Sequence, residues 1–195
     1  MSTTLARPLH VREDHQGEQV FRAEPIAPDA VLRILNRLEP YGSHVPNYGE
    51  ISTAVAQAAN QDPLFPGHHD GCRMTAAILV AMAYCASSFH PSLIGARGAK
   101  LGIFQIHPPK TINITGNMLL SVSTACFVAI DLARTSMQTC ADKPYEQRLA
   151  WLCSETSDPN TMQACKDSMR RMLLAADLYR AEWPASVPLL PEEAS

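Results

Sequence analysis

The chain lacks an apolar stretch long enough to cross a bilayer: its main apolar run, Ala76 to Cys85, falls far short of the ~20 residues that a span requires. No secretory leader is expected at its start. Met1 to Gln19 is polar, carries Arg7, Arg12, Glu13 and Asp14, and has no apolar core. Basic clusters are missing: Lys and Arg are scattered, with only Arg170 and Arg171 adjacent. A formal charge of −3 and a pI near 6.1 remove the electrostatic basis for nucleic-acid binding. No CxxC pair occurs, which excludes zinc-ribbon and thioredoxin-like chemistry. Alternation of apolar and polar residues is absent, as is any internal repeat, so neither a β-sandwich nor a solenoid is expected.

What is present suits one helical domain. In a chain of 195 residues, 46% are hydrophobic and 18% charged, enough apolar material for a core and too little charge for disorder. Residues 1–24 show no periodicity and read as an extended arm. Pro25 and Pro28 introduce Asp29, a candidate N-cap for a helix burying Val31, Leu32, Leu35 and Leu38. Pro40 to Pro46 ends it. A second helix is expected over Tyr48–Asn60, with Ile51, Val55 and Ala58 inside, and Asp62 to Gly71 reads as a loop.

Asp70 can cap a third helix over Gly71–Ala86. Its centre is apolar on nearly every face and should be buried all round. Ser87 to Pro109 is too rich in Gly and Pro for a long helix. Further helices are expected over Asn117–Thr139, burying Leu120, Ala125, Val128, Leu132 and Met137, and over Tyr145–Leu152. A last helix starts at Pro159, with Met162, Cys165, Met169, Leu173 and Ala176 at helical spacing. Residues 184–195, with Pro184, Pro188 and Pro191, read as an irregular tail. The fold class is mainly α.

Two linked motifs stand after the buried helix. The first is Cys85-Ala86-Ser87-Ser88-Phe89-His90-Pro91, and the second is Leu101-Gly102-Ile103-Phe104-Gln105-Ile106-His107-Pro108-Pro109. Together they resemble the core of the soluble lytic transglycosylases. That family, part of the lysozyme-like superfamily, ends a buried helix with Glu-Ser and a Ser-Phe-Asn-Pro-like turn, then places a Gly-Leu-Met/Phe-Gln-Ile/Leu segment further on. Ser121 to Arg134 is similar to its long helix of small residues, and Tyr145 to Glu155 takes the place of its Ala-Tyr-Asn region. The resemblance is strongest over residues 70–180. It implies a lysozyme-like, goose-type helical domain over 25–183 with extra N-terminal helices.

The resemblance implies cleavage of the β-1,4 bond between N-acetylmuramic acid and N-acetylglucosamine in peptidoglycan. Protonating the poor leaving-group oxygen calls for a carboxylic acid kept neutral in an apolar setting. In this family the same Glu then takes the muramyl C6 hydroxyl proton, giving a 1,6-anhydro product. Here that position is Ala86, which can do neither, so the chain as written is expected to be inactive. Ala86 fits a deliberate Glu→Ala substitution, or a relative that kept the cleft and lost the acid. It also fits a plain helix-favouring residue in an unrelated helical protein.

The other candidates are weighed in the same way. Ser87 either bonds substrate or belongs to the end of the helix. Gln105 offers an amide to N-acetyl groups. Phe104 is a possible contact but, like Ile106, favours packing. Trp151 serves as a sugar-stacking floor or as core, and Glu155 as a fallback acid or a solvated loop residue. His68, His69, His90 and His107 do not form a ligand pattern, so no metal and no cofactor are expected. Six cysteines are an even count; without a leader they read as buried thiols, and Cys140, Cys153 and Cys165, at element ends, are the ones to pair if any do. The expected partner is the peptidoglycan glycan strand in the cell envelope, reached through a phage particle, a holin or a secretion apparatus. A different reading is a non-catalytic peptidoglycan-binding or structural module of a phage tail or injection machine.

Overall fold

The computed structural model describes residues 23–38, 47–107, 115–153 and 160–184, and within these the side chains of Arg97, Trp151 and Cys153 are not described. The expected arm up to residue 22, the Pro40–Pro46 break, the Pro159 helix start and the tail beyond 184 lie outside the described residues.

The architecture is mainly α. Helices α1 (Pro28–Leu38), α2 (Tyr48–Gln61) and α3 (Gly71–Ser87) come first, followed by a small antiparallel hairpin, β1 (Ile94–Gly95) and β2 (Lys100–Leu101). Then come α4 (Gly116–Leu119), α5 (Val122–Thr139), α6 (Ala150–Cys153) and α7 (Met162–Glu182). No helix among the described residues is long and apolar enough to cross a membrane.

At the centre lies α3, because Met74 to Ala83 are all buried and no face of the helix is left for solvent. It packs most extensively on α7 and then on α2, with α1 and α5 completing the shell. Thr75 makes this possible as a buried polar residue: its hydroxyl donates to the Gly71 carbonyl at 2.7 Å and accepts from the Leu64 amide at 2.8 Å. It therefore pins the 62–70 loop to the core.

Several expectations are corrected. Asp29 is not the cap of α1 but lies in its first turn behind Pro28, where the fixed φ of proline starts the helix and the carboxylate meets the positive dipole end. The buried face of α1 is Ala30, Val31, Ile34 and Leu35, with Leu32 and Leu38 only half-buried. Asp70 stands at the N-cap position of α3 yet makes no capping bond, because its carboxylate is engaged by Arg73 and His69.

The single helix expected over Asn117–Thr139 is two. Bonds from the Leu120 and Ser121 amides to the Asn117 and Met118 carbonyls close α4 as a tight turn before α5 begins. The Tyr145–Leu152 segment is also divided, into a 3₁₀ turn (Tyr145–Gln147) and α6. Two fully buried serines stitch it in place. Ser136 Oγ donates to the Arg148 carbonyl and accepts from the Leu152 amide, while Ser168 Oγ donates to the Glu146 carbonyl and accepts from the Leu149 amide.

The inward face of α7 is Ala164, Ser168, Met172, Ala175, Ala176, Leu178 and Tyr179. Of the expected stripe, Ala176 lies on this face and Cys165 and Met169 are half-buried, while Met162 and Leu173 are 74% and 47% exposed. That face combines the small Ala164, Ser168, Ala175 and Ala176 with the larger Met172, Leu178 and Tyr179. Cys72, Cys85, Cys126, Cys140 and Cys165 are free thiols. Complete burial pushes the Cys126 thiol up to about 12.

Candidate functional site

The two sequence motifs meet at the C-terminal end of α3. The helix stops at Ser87 because the next two residues, Ser88 (φ 49°) and Phe89 (φ 64°), are both left-handed. Two consecutive non-glycine residues in that region cost about 1 kcal/mol or more each. The turn is held by what it achieves: Phe89 is driven fully into the core, between Tyr84 (ring centroids 5.6 Å apart) and Tyr48 (5.9 Å, edge to face). The Ser88 amide bonds the Tyr84 carbonyl at 3.0 Å, and the His90 ring Nδ1 lies 2.8 Å from the Ser87 carbonyl and 3.0 Å from that of Ser88. These contacts satisfy carbonyls that a helix end leaves open.

Ser87 joins the motifs directly. Its buried hydroxyl points to the Ile103 carbonyl at 2.7 Å, with the Ala83 carbonyl a longer second acceptor at 3.3 Å, and it accepts from the His90 amide at 3.1 Å. Its single donor and one of its acceptor positions are thus used within the fold.

Beyond the turn, Ile94 pairs with Leu101 and Gly95 with Lys100, and a further bridge joins Leu101 to Ile106. Gln105, itself left-handed at φ 50°, folds its amide back into this loop. Its Nε2 donates to the Leu93 and Gly102 carbonyls, both at 2.9 Å. The amide expected to meet sugar therefore clamps the hairpin. Gly95 is required for this, since a Cβ there would lie 2.1 Å from Gln105 Oε1. Gly102 (φ 72°) lies so close to α4 that a Cβ would meet the Leu119 carbonyl oxygen at 2.0 Å. Phe104 and Ile106, 7% and 5% exposed, are core residues. Little of the Phe104 surface, proposed as a substrate contact, is open to solvent.

Ala86 stands half-buried in the last turn of α3, beside this junction. Its neighbour Cys85 faces α7, where Asp167, Arg170 and Arg171 surround it; burial raises the thiol pKa and the two arginines counter it. Sequence reading did not foresee this charged flank, because only the packing of α7 on α3 creates it. The Trp151 side chain and Glu155 lie outside the described residues.

A second cluster lies at the other end of α3. One ligand atom each from Glu24, His69 and Asp70 falls within 4.8 Å of the others. The Arg73 guanidinium bonds Asp70 at 2.6 Å and also pairs with Glu24, supplying the positive charge these carboxylates need. Burial alone would raise the Asp70 pKa. A hydrogen bond from Tyr179, with the charge and hydrogen bond of Arg73 and a bond to His69, outweighs it and holds the carboxyl below its ordinary value. This is a structural ion cluster that fastens the residues before α1 to the start of α3.

In comparisons with family models, with curated proteins and with solved structures, nothing matches this chain.

Proposed function

We propose that this chain is a peptidoglycan-directed domain of the lytic transglycosylase type, with a lysozyme-like fold and with Ala86 where the acid/base carboxylate belongs. As it stands, it holds the glycan strand without cleaving it. The observation that carries the reading is the bond between Ser87 and Ile103, which joins the helix-end motif to the Gln105 motif beside Ala86. A residue at position 86, half-buried at the end of an apolar helix, sits where a carboxylic acid would be held neutral. The methyl group there can neither give nor take a proton.

The reading of a non-catalytic module rests on a specific observation too. Ser87 and Gln105 are bonded within the junction and Gly102 is packed on α4, while position 86 carries no acid. Both versions place the protein at the cell wall, delivered by a phage particle, a holin or a secretion apparatus, and both predict binding.

Co-sedimentation with purified sacculi tests it. The chain should pellet with sacculi and release no soluble muropeptides. Failure to pellet under low-salt conditions would remove the glycan reading and leave a helical adaptor without sugar contacts.

A further inference from the structure

At the start of α2, whose Tyr48 packs on Phe89 of the junction, α2 and the first turn of α5 border an open hollow of ≈ 440 Å³, within the size range of small-molecule sites. It shares no lining residue with the Ala86–Gln105 segment. On α2, Glu50, Thr53 and Gln57 recur at helical spacing along the side opposite the buried Ile51, Val55 and Ala58, and Ser123 of α5 faces them. Buried Ala54 supplies an apolar floor.

Hydrogen bonds prepare this wall in advance. Asn47 accepts the Glu50 amide at 3.2 Å through Oδ1 and donates to Glu50 Oε2 at 2.8 Å through Nδ2. The carboxylate is therefore held in one place, with Oε1 left to accept from a ligand. Thr53 donates to the Gly49 carbonyl at 2.8 Å, leaving its oxygen as an acceptor. Gln57 and Ser123 present an exposed amide and hydroxyl. Glu50, Thr53 and Gln57 project from helical turns of α2, with Asn47 at its N-cap, so the backbone carrying them is already ordered before binding.

The lining presents amide, hydroxyl and carboxylate groups set in a mainly apolar surface, and no cationic side chain. That chemistry disfavours phosphate and other anions. It suits a neutral ligand with several hydroxyl donors and a small apolar group. We propose that this hollow is a second saccharide site, taking an N-acetylhexosamine unit: ring hydroxyls donate to Glu50, and the acetamido group meets Gln57 with its methyl on Ala54. The choice of an N-acetylated sugar rests on the glycan reading above; the cation-free mixture of polar groups and apolar surface does not.

The test is a titration of the ¹⁵N-labelled chain with chitotetraose, followed by backbone amide shifts. Saturable shifts are expected over Asn47–Gln57 and around Ser123, with millimolar affinity. Glu50→Gln and Gln57→Ala should each weaken that binding about five-fold, the equivalent of one lost hydrogen bond near 1 kcal/mol. Both side chains are exposed, so folding should be preserved. Cellotetraose, which lacks acetamido groups, should bind at least about five-fold more weakly by the same reckoning. Equal binding of the two sugars overturns the N-acetyl assignment. Shifts confined to Ala86–Gln105 overturn the second site and leave the glycan reading standing. Shifts confined to the hollow support the site and count against the Ala86 cleft.

Discussion

Ser87 and Ile103, sixteen positions apart, are joined by a 2.7 Å bond from the Ser87 hydroxyl to the Ile103 carbonyl. The end of α3 and the loop that carries Gln105 are therefore one unit. Ser87→Ala removes that bond and leaves the Ile103 carbonyl short of a partner, while the His90 amide keeps its bond to the Ser87 carbonyl at 3.2 Å. A stability loss of about 1–3 kcal/mol follows, measurable by urea unfolding. A loss within error of zero would mean that the two motifs are held together by packing alone.

Gly102 and Gly98 both have positive φ, but only Gly102 has backbone against it. Gly98→Ala meets no neighbour within 4 Å and should cost about 1 kcal/mol from backbone strain alone. Gly102→Ala meets the Leu119 carbonyl oxygen, which cannot move without shifting α4, so it should cost at least about 2 kcal/mol more. Equal losses would show that α4 does not lean on the hairpin.

The stripe correction in α7 can be checked with a pair of truncations. Met172→Ala should cost about 2–5 kcal/mol because it opens a cavity in the fully buried core. Leu173→Ala, at a half-exposed position, should stay within about 0.5–1 kcal/mol. The reverse order would restore the stripe expected from the sequence.

That stripe shows what the sequence made legible. The start of α2 after Asn47 and the all-round burial of α3 could be read directly, because a saturated apolar run leaves no alternative. In α7 two neighbouring stripes both carry apolar residues. Periodicity favoured Met162, Cys165, Met169, Leu173 and Ala176, of which only Ala176 lies on the buried face with Met172, Leu178 and Tyr179. The break at Leu120–Ser121 has no proline or glycine to announce it and depends on the hairpin packing over Leu119. The left-handed pair Ser88 and Phe89 was equally hidden, since neither residue type favours that conformation. At the site, the motif residues were legible as a set. Their division of labour was not, because only the fold shows Ser87 and Gln105 bonded to backbone.

Asp70 makes stability depend on pH. Its folded pKa lies below the unfolded one, so its contribution is present above the unfolded value of about 3.9 and is lost as pH falls through the lower folded value. Urea midpoints between pH 7 and 2 should show Asp70→Asn less stable than the native chain at neutral pH. The gap should close below about pH 4. A gap that stays constant across the range would mean that Asp70 is not charged in the fold.

The central claim concerns Ala86, and Ala86→Glu on purified sacculi tests it most directly. The account predicts that the variant clears sacculi at least about 10²-fold faster than the native chain, the low end of what an acid/base group supplies. Products should carry 1,6-anhydromuramyl ends. If the variant folds, pellets with sacculi and still releases nothing, Ala86 does not stand in a catalytic position and the chain is a binding module only.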